Sequence, residues 1–142
     1  MQNVLIALVP AVVASVLIFG FRALLLEVIC MAACVLFEFL FEKATKRDLT
    51  IYDCSAMVTG LILALNLPPT LPIWMAVFGC LAAIVLAKQL FGGIGMNFAN
   101  PAIVGRIVLL IAFAQPMTTW VLPNAFNFGA DLVSGATPLG VL

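Results

Sequence analysis

The chain has 142 residues, of which 65% are hydrophobic and only 8% charged, and its six basic residues balance six acidic ones. Soluble domains carry roughly 25% charged residues, so this composition, with a mean hydropathy of +1.29, indicates an integral membrane protein. Zero net charge offers nothing to nucleic acid, and the absence of histidine removes the usual general base and the commonest metal ligand.

A helix needs about 20 apolar residues to cross ~30 Å of hydrocarbon. Residues 4–20 and 23–41 satisfy this and are separated only by Gly20-Phe21-Arg22, so they predict a tight helical hairpin. The first run has no basic flank and no small-residue cleavage site, and so reads as a span rather than a signal peptide. A charge cluster, Glu42 to Asp48, follows. Residues 54–67 are apolar but short, only ~20 Å at ~1.5 Å per residue, and Pro68-Pro69-Thr70-Leu71-Pro72 stops them. Residues 73–90 form a further span. A glycine-rich break then leads to Asn100-Pro101, and Pro101 suits the first turn of a new helix over 101–115. The expected fold is therefore all-α with about five spans, some of them short or broken. Residues 1–115 form the membrane region and 116–142 an extracytoplasmic segment. Irregular backbone at membrane depth is tolerated only inside protein or beside a cavity, so the breaks predict either a binding site or headgroup-level loops.

Lys43, Lys46 and Arg47 place the loop after the second span in the cytoplasm. Lys88, at the end of the fourth span, adds a further cytoplasmic charge, and Arg22 alone dissents. Trp74 and Trp120 fall at outer boundaries, where amphipathic rings prefer to sit. The N-terminus is then inside and residues 116–142 outside.

Ionisable residues within spans are functional candidates by default. Glu27 and Glu38 lie eleven residues apart in the second span, close to three turns, and share a face with Met31 and Cys34. Glu38 is expected to snorkel to the cytoplasmic surface, and Glu27 either to pair with Arg22 or to line an ion path. Arg106 is expected to snorkel, or else to hold an anion or a neighbouring helix. Asp53 sits where a helix dipole favours an acid. Cys30, Cys34, Cys54 and Cys80 lie in or beside apolar runs without a C-x-x-C pair. They read as small buried hydrophobes, the alternative being an iron–sulfur or metal site whose remaining ligands a partner subunit supplies; no metal site is assigned.

The segment Asp131-Leu132-Val133-Ser134-Gly135-Ala136-Thr137 is the one place where covalent chemistry looks written in. Ser-Gly-Ala-Thr-Pro is good turn chemistry. It also suits modification: Thr137 offers a hydroxyl, Ser134, Gly135 and Ala136 leave its backbone approachable, and Asp131 could recruit a divalent metal carried by a phosphate donor.

On Asp53-Cys54-Ser55-Ala56-Met57-Val58-Thr59-Gly60, Leu63-Ala64-Leu65-Asn66-Leu67-Pro68-Pro69, Gly92-Gly93-Ile94-Gly95-Met96-Asn97, Asn100-Pro101-Ala102, Pro116-Met117-Thr118-Thr119-Trp120 and Ser134-Gly135-Ala136-Thr137, the chain resembles the D subunit of the Rnf electron-transport complex. It is more distantly similar to the B subunit of the sodium-pumping NADH:quinone reductase. The resemblance implies half of a larger inverted-repeat fold, and so a piece of a longer product or of a split gene. It implies FMN joined to Thr137 as a phosphoester by an extracytoplasmic flavin transferase, and leaves room for a second, non-covalent flavin. It further implies a bacterial or archaeal cytoplasmic-membrane subunit of a redox-driven translocase, catalytically incomplete alone, whose complex passes electrons between ferredoxin and NAD with transport of Na+ or H+. Its partners would be the flavin-bearing G subunit, other membrane subunits and lipid. The alternatives are half of a passive transporter or channel, or a structural membrane subunit.

Overall fold

The computed structural model describes residues 2–49, 51–92 and 95–119. Among the described residues every regular element is helical. Helix α1 (Gln2–Phe19) and helix α2 (Phe21–Thr45) are joined by Gly20 alone. Its φ of 82° is left-handed backbone that a side chain resists, which explains how two long helices reverse within one residue. A 3-10 turn (Ile51–Asp53) leads into α3 (Ser55–Leu65), and exposed Asp53 precedes that helix. Helix α4 (Ile73–Leu81) continues into a π-helical segment (Ala82–Gln89), and α5 (Pro101–Ala112) is followed by the short α6 (Ala114–Thr118).

Among the described helices, only α1 and α2 are long and apolar enough to cross a membrane by length and composition; Ser55–Leu65, Ile73–Gln89 and Pro101–Ala112 are shorter apolar helices. Helix α1 buries none of its residues, and Leu17 is 69% exposed. So apolar a surface, open wherever α1 does not meet α2 and α3, suits lipid rather than water.

Helix α2 is the spine. Leu26, Cys30, Ala33 and Cys34 recur along one face and pack with Ala56, Leu63 and Ala64 of α3 and Ala76 and Cys80 of α4. Gly60 allows α3 to approach so closely. A Cβ there would stand 2.7 Å from the Cys30 carbonyl oxygen and 2.9 Å from the Met31 Cα, and small residues are what let membrane helices meet backbone to backbone.

The bundle has two polar ends. At one, Arg22 Nε donates to the Pro69 carbonyl at 3.0 Å and Nη2 to that of Thr70 at 3.4 Å. The Trp74 ring meets Phe113 edge-on there, with centroids 5.2 Å apart. At the other, Arg47 Nη1 donates to the Gln89 carbonyl at 3.3 Å. Two details differ from the sequence expectation. The helix from Pro101 ends at Ala112, with Phe113 out of helical geometry (φ −136°, ψ 58°), and Pro116 lies inside α6 rather than closing the run. It stands in the first turn of that helix, where the missing amide N–H costs nothing.

Candidate functional site

The principal site is built where α2, α3 and the π-helical segment converge. Within Ala82–Gln89 the backbone bonds widen, as the Leu90 N–H to Val85 carbonyl bond of 3.1 Å shows by spanning five residues. The register slips, and Lys88 and Gln89 turn inward together. Lys88 is 2% exposed and Glu38 0%. The Lys88 ammonium forms an ion pair with Glu38 Oε1 and donates to Ser55 Oγ at 2.5 Å. Gln89 Nε2 donates to the same carboxylate oxygen at 3.2 Å, and Thr59 Oγ1 donates to the Ser55 carbonyl at 2.9 Å.

Beside this cluster opens a cavity of about 550 Å³. Its polar lining is Ser55, Thr59, Lys88, Asn97 and Asn100, the asparagines coming from the loop that enters α5. Asn100 also caps α5: its Oδ1 accepts from the Ala102 N–H at 3.0 Å, with Pro101 in the first helical position. The glycine-rich break expected from sequence therefore forms one wall of a cavity.

Two expectations are corrected here. Glu38 does not snorkel to the surface but is fully buried against Lys88. Lys88 is not a free charge at a span end, so it carries no weight in deciding which side is cytoplasmic. An ammonium held to a carboxylate inside protein is no longer a loop charge.

The other ionisable residues lie elsewhere. Arg22 binds the backbone of Pro69 and Thr70 rather than Glu27. Glu27 is buried against Ser15 of α1, whose hydroxyl is hydrogen-bonded to its Oε1. Arg106 holds a neighbouring helix: its Nη1 donates to Asn66 Oδ1 at 3.3 Å, at the C-terminal end of α3. Cys30, Cys34 and Cys80 are buried between α2 and α4, and Cys54 is half-buried. The expected attachment residues Asp131, Ser134, Gly135, Ala136 and Thr137 lie outside the described residues, as does Trp120.

Sequence reasoning marked Glu38 and Lys88 separately as charges in apolar runs. It missed that they meet, because the pairing spans 50 residues and depends on a helix whose period changes part-way.

The whole chain, residues 1–142, matches the model of the NQR2, RnfD, RnfE family. The chain belongs to that family. Over all 142 residues it is 44% identical to the D subunit of the Na(+)-translocating ferredoxin:NAD(+) oxidoreductase complex of Acetobacterium woodii. Over the same length it is 42% identical to the D subunit of the proton-translocating ferredoxin:NAD(+) oxidoreductase complex of Clostridium ljungdahlii. It is also 42% identical, over 126 residues or 87% of its length, to the D subunit of an ion-translocating oxidoreductase complex of Escherichia coli. The chain spans 43%, 42% and 36% of those three relatives, less than half of each. Family membership and the apolar helices together make this a membrane protein.

Proposed function

We propose that this chain is the flavin-bearing half of a D-type membrane subunit in an ion-translocating ferredoxin:NAD oxidoreductase complex. The observation that carries the reading is identity of 42–44% along the chain to relatives named as the D subunit of such complexes. FMN would be joined through its phosphate to Thr137, within Ser134-Gly135-Ala136-Thr137 and with Asp131 nearby. An extracytoplasmic flavin transferase would attach it, and the flavin-bearing G subunit would be the redox neighbour. When bound, the flavin supplies the electron-carrying chemistry that no side chain of this chain offers.

The topology proposed with this reading has five spans and the N-terminus in the cytoplasm. Exposed Lys43, Lys46 and Arg47 lie at one end of α2, against Arg22 alone at the other, and that balance supports the orientation. Thr45→Cys should then be shielded from, and Phe128→Cys open to, an impermeant thiol reagent outside the cell.

A second, non-covalent flavin would have as its candidate place the cavity beside Lys88. Its volume of about 550 Å³ lies in the range of about 300–1,000 Å³ usual for small-molecule sites. Asn97 and Asn100 bring amide groups to its lining.

The covalent flavin is tested by expressing the full-length subunit with its transferase and viewing a denaturing gel under ultraviolet light. A fluorescent band that disappears in Thr137→Ala supports the reading; a dark wild-type band, or fluorescence that survives the substitution, refutes it.

A further inference from the structure

A second buried carboxylate lies away from this cluster. Glu27, in the second turn of α2, is 3% exposed. It lines a separate cavity of about 140 Å³ with Ser15, Ala64, Leu65, Leu67 and Pro69. Its Oε1 is bonded to the Ser15 hydroxyl, and its Oε2 is buried with no hydrogen-bond partner among the described residues.

Among the described residues no cation forms an ion pair with it. Helix α1 and helix α3 contain no charged residue, and α4 as far as Leu81 contains none. On α2 itself the nearest cation is Arg22, whose guanidinium is engaged with the Pro69 and Thr70 carbonyls. The remaining charged or titratable groups of that neighbourhood are Arg106, whose guanidinium is engaged with Asn66, and the thiols Cys30, Cys34 and Cys80. An ionised carboxylate in such surroundings is costly.

The proton count at Ser15 points the same way. Its Oγ lies 2.9 Å from the Val12 carbonyl as well as against Glu27 Oε1. A serine hydroxyl has one proton to donate, whereas both of these neighbours are acceptors if Glu27 is ionised. A protonated Glu27 supplies the missing hydrogen: the carboxyl O–H donates to Ser15 Oγ, which donates to Val12.

We propose that Glu27 and Ser15 form a loading site for one exchangeable monovalent cation, in the wedge between α1, α2 and α3. The donor count favours a proton. A sodium ion held by Glu27 Oε2 would provide the same neutralising charge. That the site serves transport rests on the translocating function proposed above; that it exchanges a cation does not. No covalent or redox step is involved: a proton or Na+ binds the carboxylate and leaves it.

The test is infrared difference spectroscopy on the assembled complex with the full-length subunit, in the absence of ferredoxin and NAD. A failure of the flavin reading therefore leaves the result intact. Spectra are recorded on stepping pH, in choline chloride and in NaCl, for wild type and Glu27→Gln. The expected result is a carboxylic-acid C=O band that disappears as pH rises in wild type and is missing from Glu27→Gln. If NaCl moves that transition to lower pH, the ion is sodium; if NaCl leaves it unchanged, the ion is a proton. Should Glu27→Gln fail to assemble, Ser15→Ala keeps the carboxyl and must shift the pH at which the band is lost. Identical wild-type and variant spectra at every pH and salt would make Glu27 a fixed helix clasp and overturn the proposal.

Discussion

Glu38 and Glu27 stand eleven residues apart on the same buried face of one helix, ~16 Å at ~1.5 Å per residue, and they are treated in opposite ways. Glu38 meets a lysine, itself bonded to Ser55, and a glutamine. Glu27 meets one serine and an otherwise apolar cavity. The difference originates in the partner helices rather than in α2. The π-helical turn of Ala82–Gln89 delivers a cation to one carboxylate, while α1 and α3 contain no cation to deliver to the other. A buried charge can be matched permanently from within the fold or intermittently by a mobile ion, and one helix face here carries both arrangements.

The largest effect should come from making Glu38 resemble Glu27. Lys88→Met removes the cation from a fully buried carboxylate, and breaking such a pair costs about 3–5 kcal/mol. Thermal denaturation in detergent should show it, with a large part recovered in the double variant Lys88→Met, Glu38→Gln. No recovery would mean that the ion pair is not what holds these helices. Next, Gly60→Val forces a branched side chain into the space occupied by the Cys30 carbonyl. It should cost about 1–3 kcal/mol, read by the same measurement, and it would disturb both carboxylates by parting α2 from α3. Asn100→Ala removes the cap of α5 at the mouth of the larger cavity and should cost about 1 kcal/mol, leaving the surroundings of Glu27 untouched. The smallest effect is expected for Glu27→Gln. The amide can still bond Ser15 and carries no charge, so stability should change by under about 1 kcal/mol, measured by the same melt. A loss as large as that of Lys88→Met would erase the contrast.

Much of the fold was legible because its signals are local. The single-glycine hairpin, the shortness of the helix before Pro68-Pro69 and the Asn100-Pro101 helix start each rest on a few adjacent residues with fixed backbone preferences. The membrane character followed from composition. What the sequence concealed is long-range or depends on a change of period. Glu27, Cys34 and Glu38 share one face of α2 as expected, with Met31 only half-buried, but that the face is buried, and that their partners lie on other helices, was not legible. Ser15, in an uncharged helix, gave no sign of bonding Glu27. Lys88 read as an end-of-span charge because α-helical periodicity does not point it, with Gln89, at Glu38. Arg22 found backbone carbonyls instead of Glu27, a choice set by the Pro69-Thr70 turn folding back over the hairpin. The residues expected to hold flavin fall in 131–137, and their chemistry is read from the order of side chains alone.

The central claim, that this chain carries flavin through Thr137, is tested most directly by the intact mass of the full-length protein purified from its host membrane. The account predicts an increment equal to one FMN joined as a phosphoester, absent from Thr137→Ala purified in the same way. An unmodified wild-type mass, or the same increment in the variant, would contradict it.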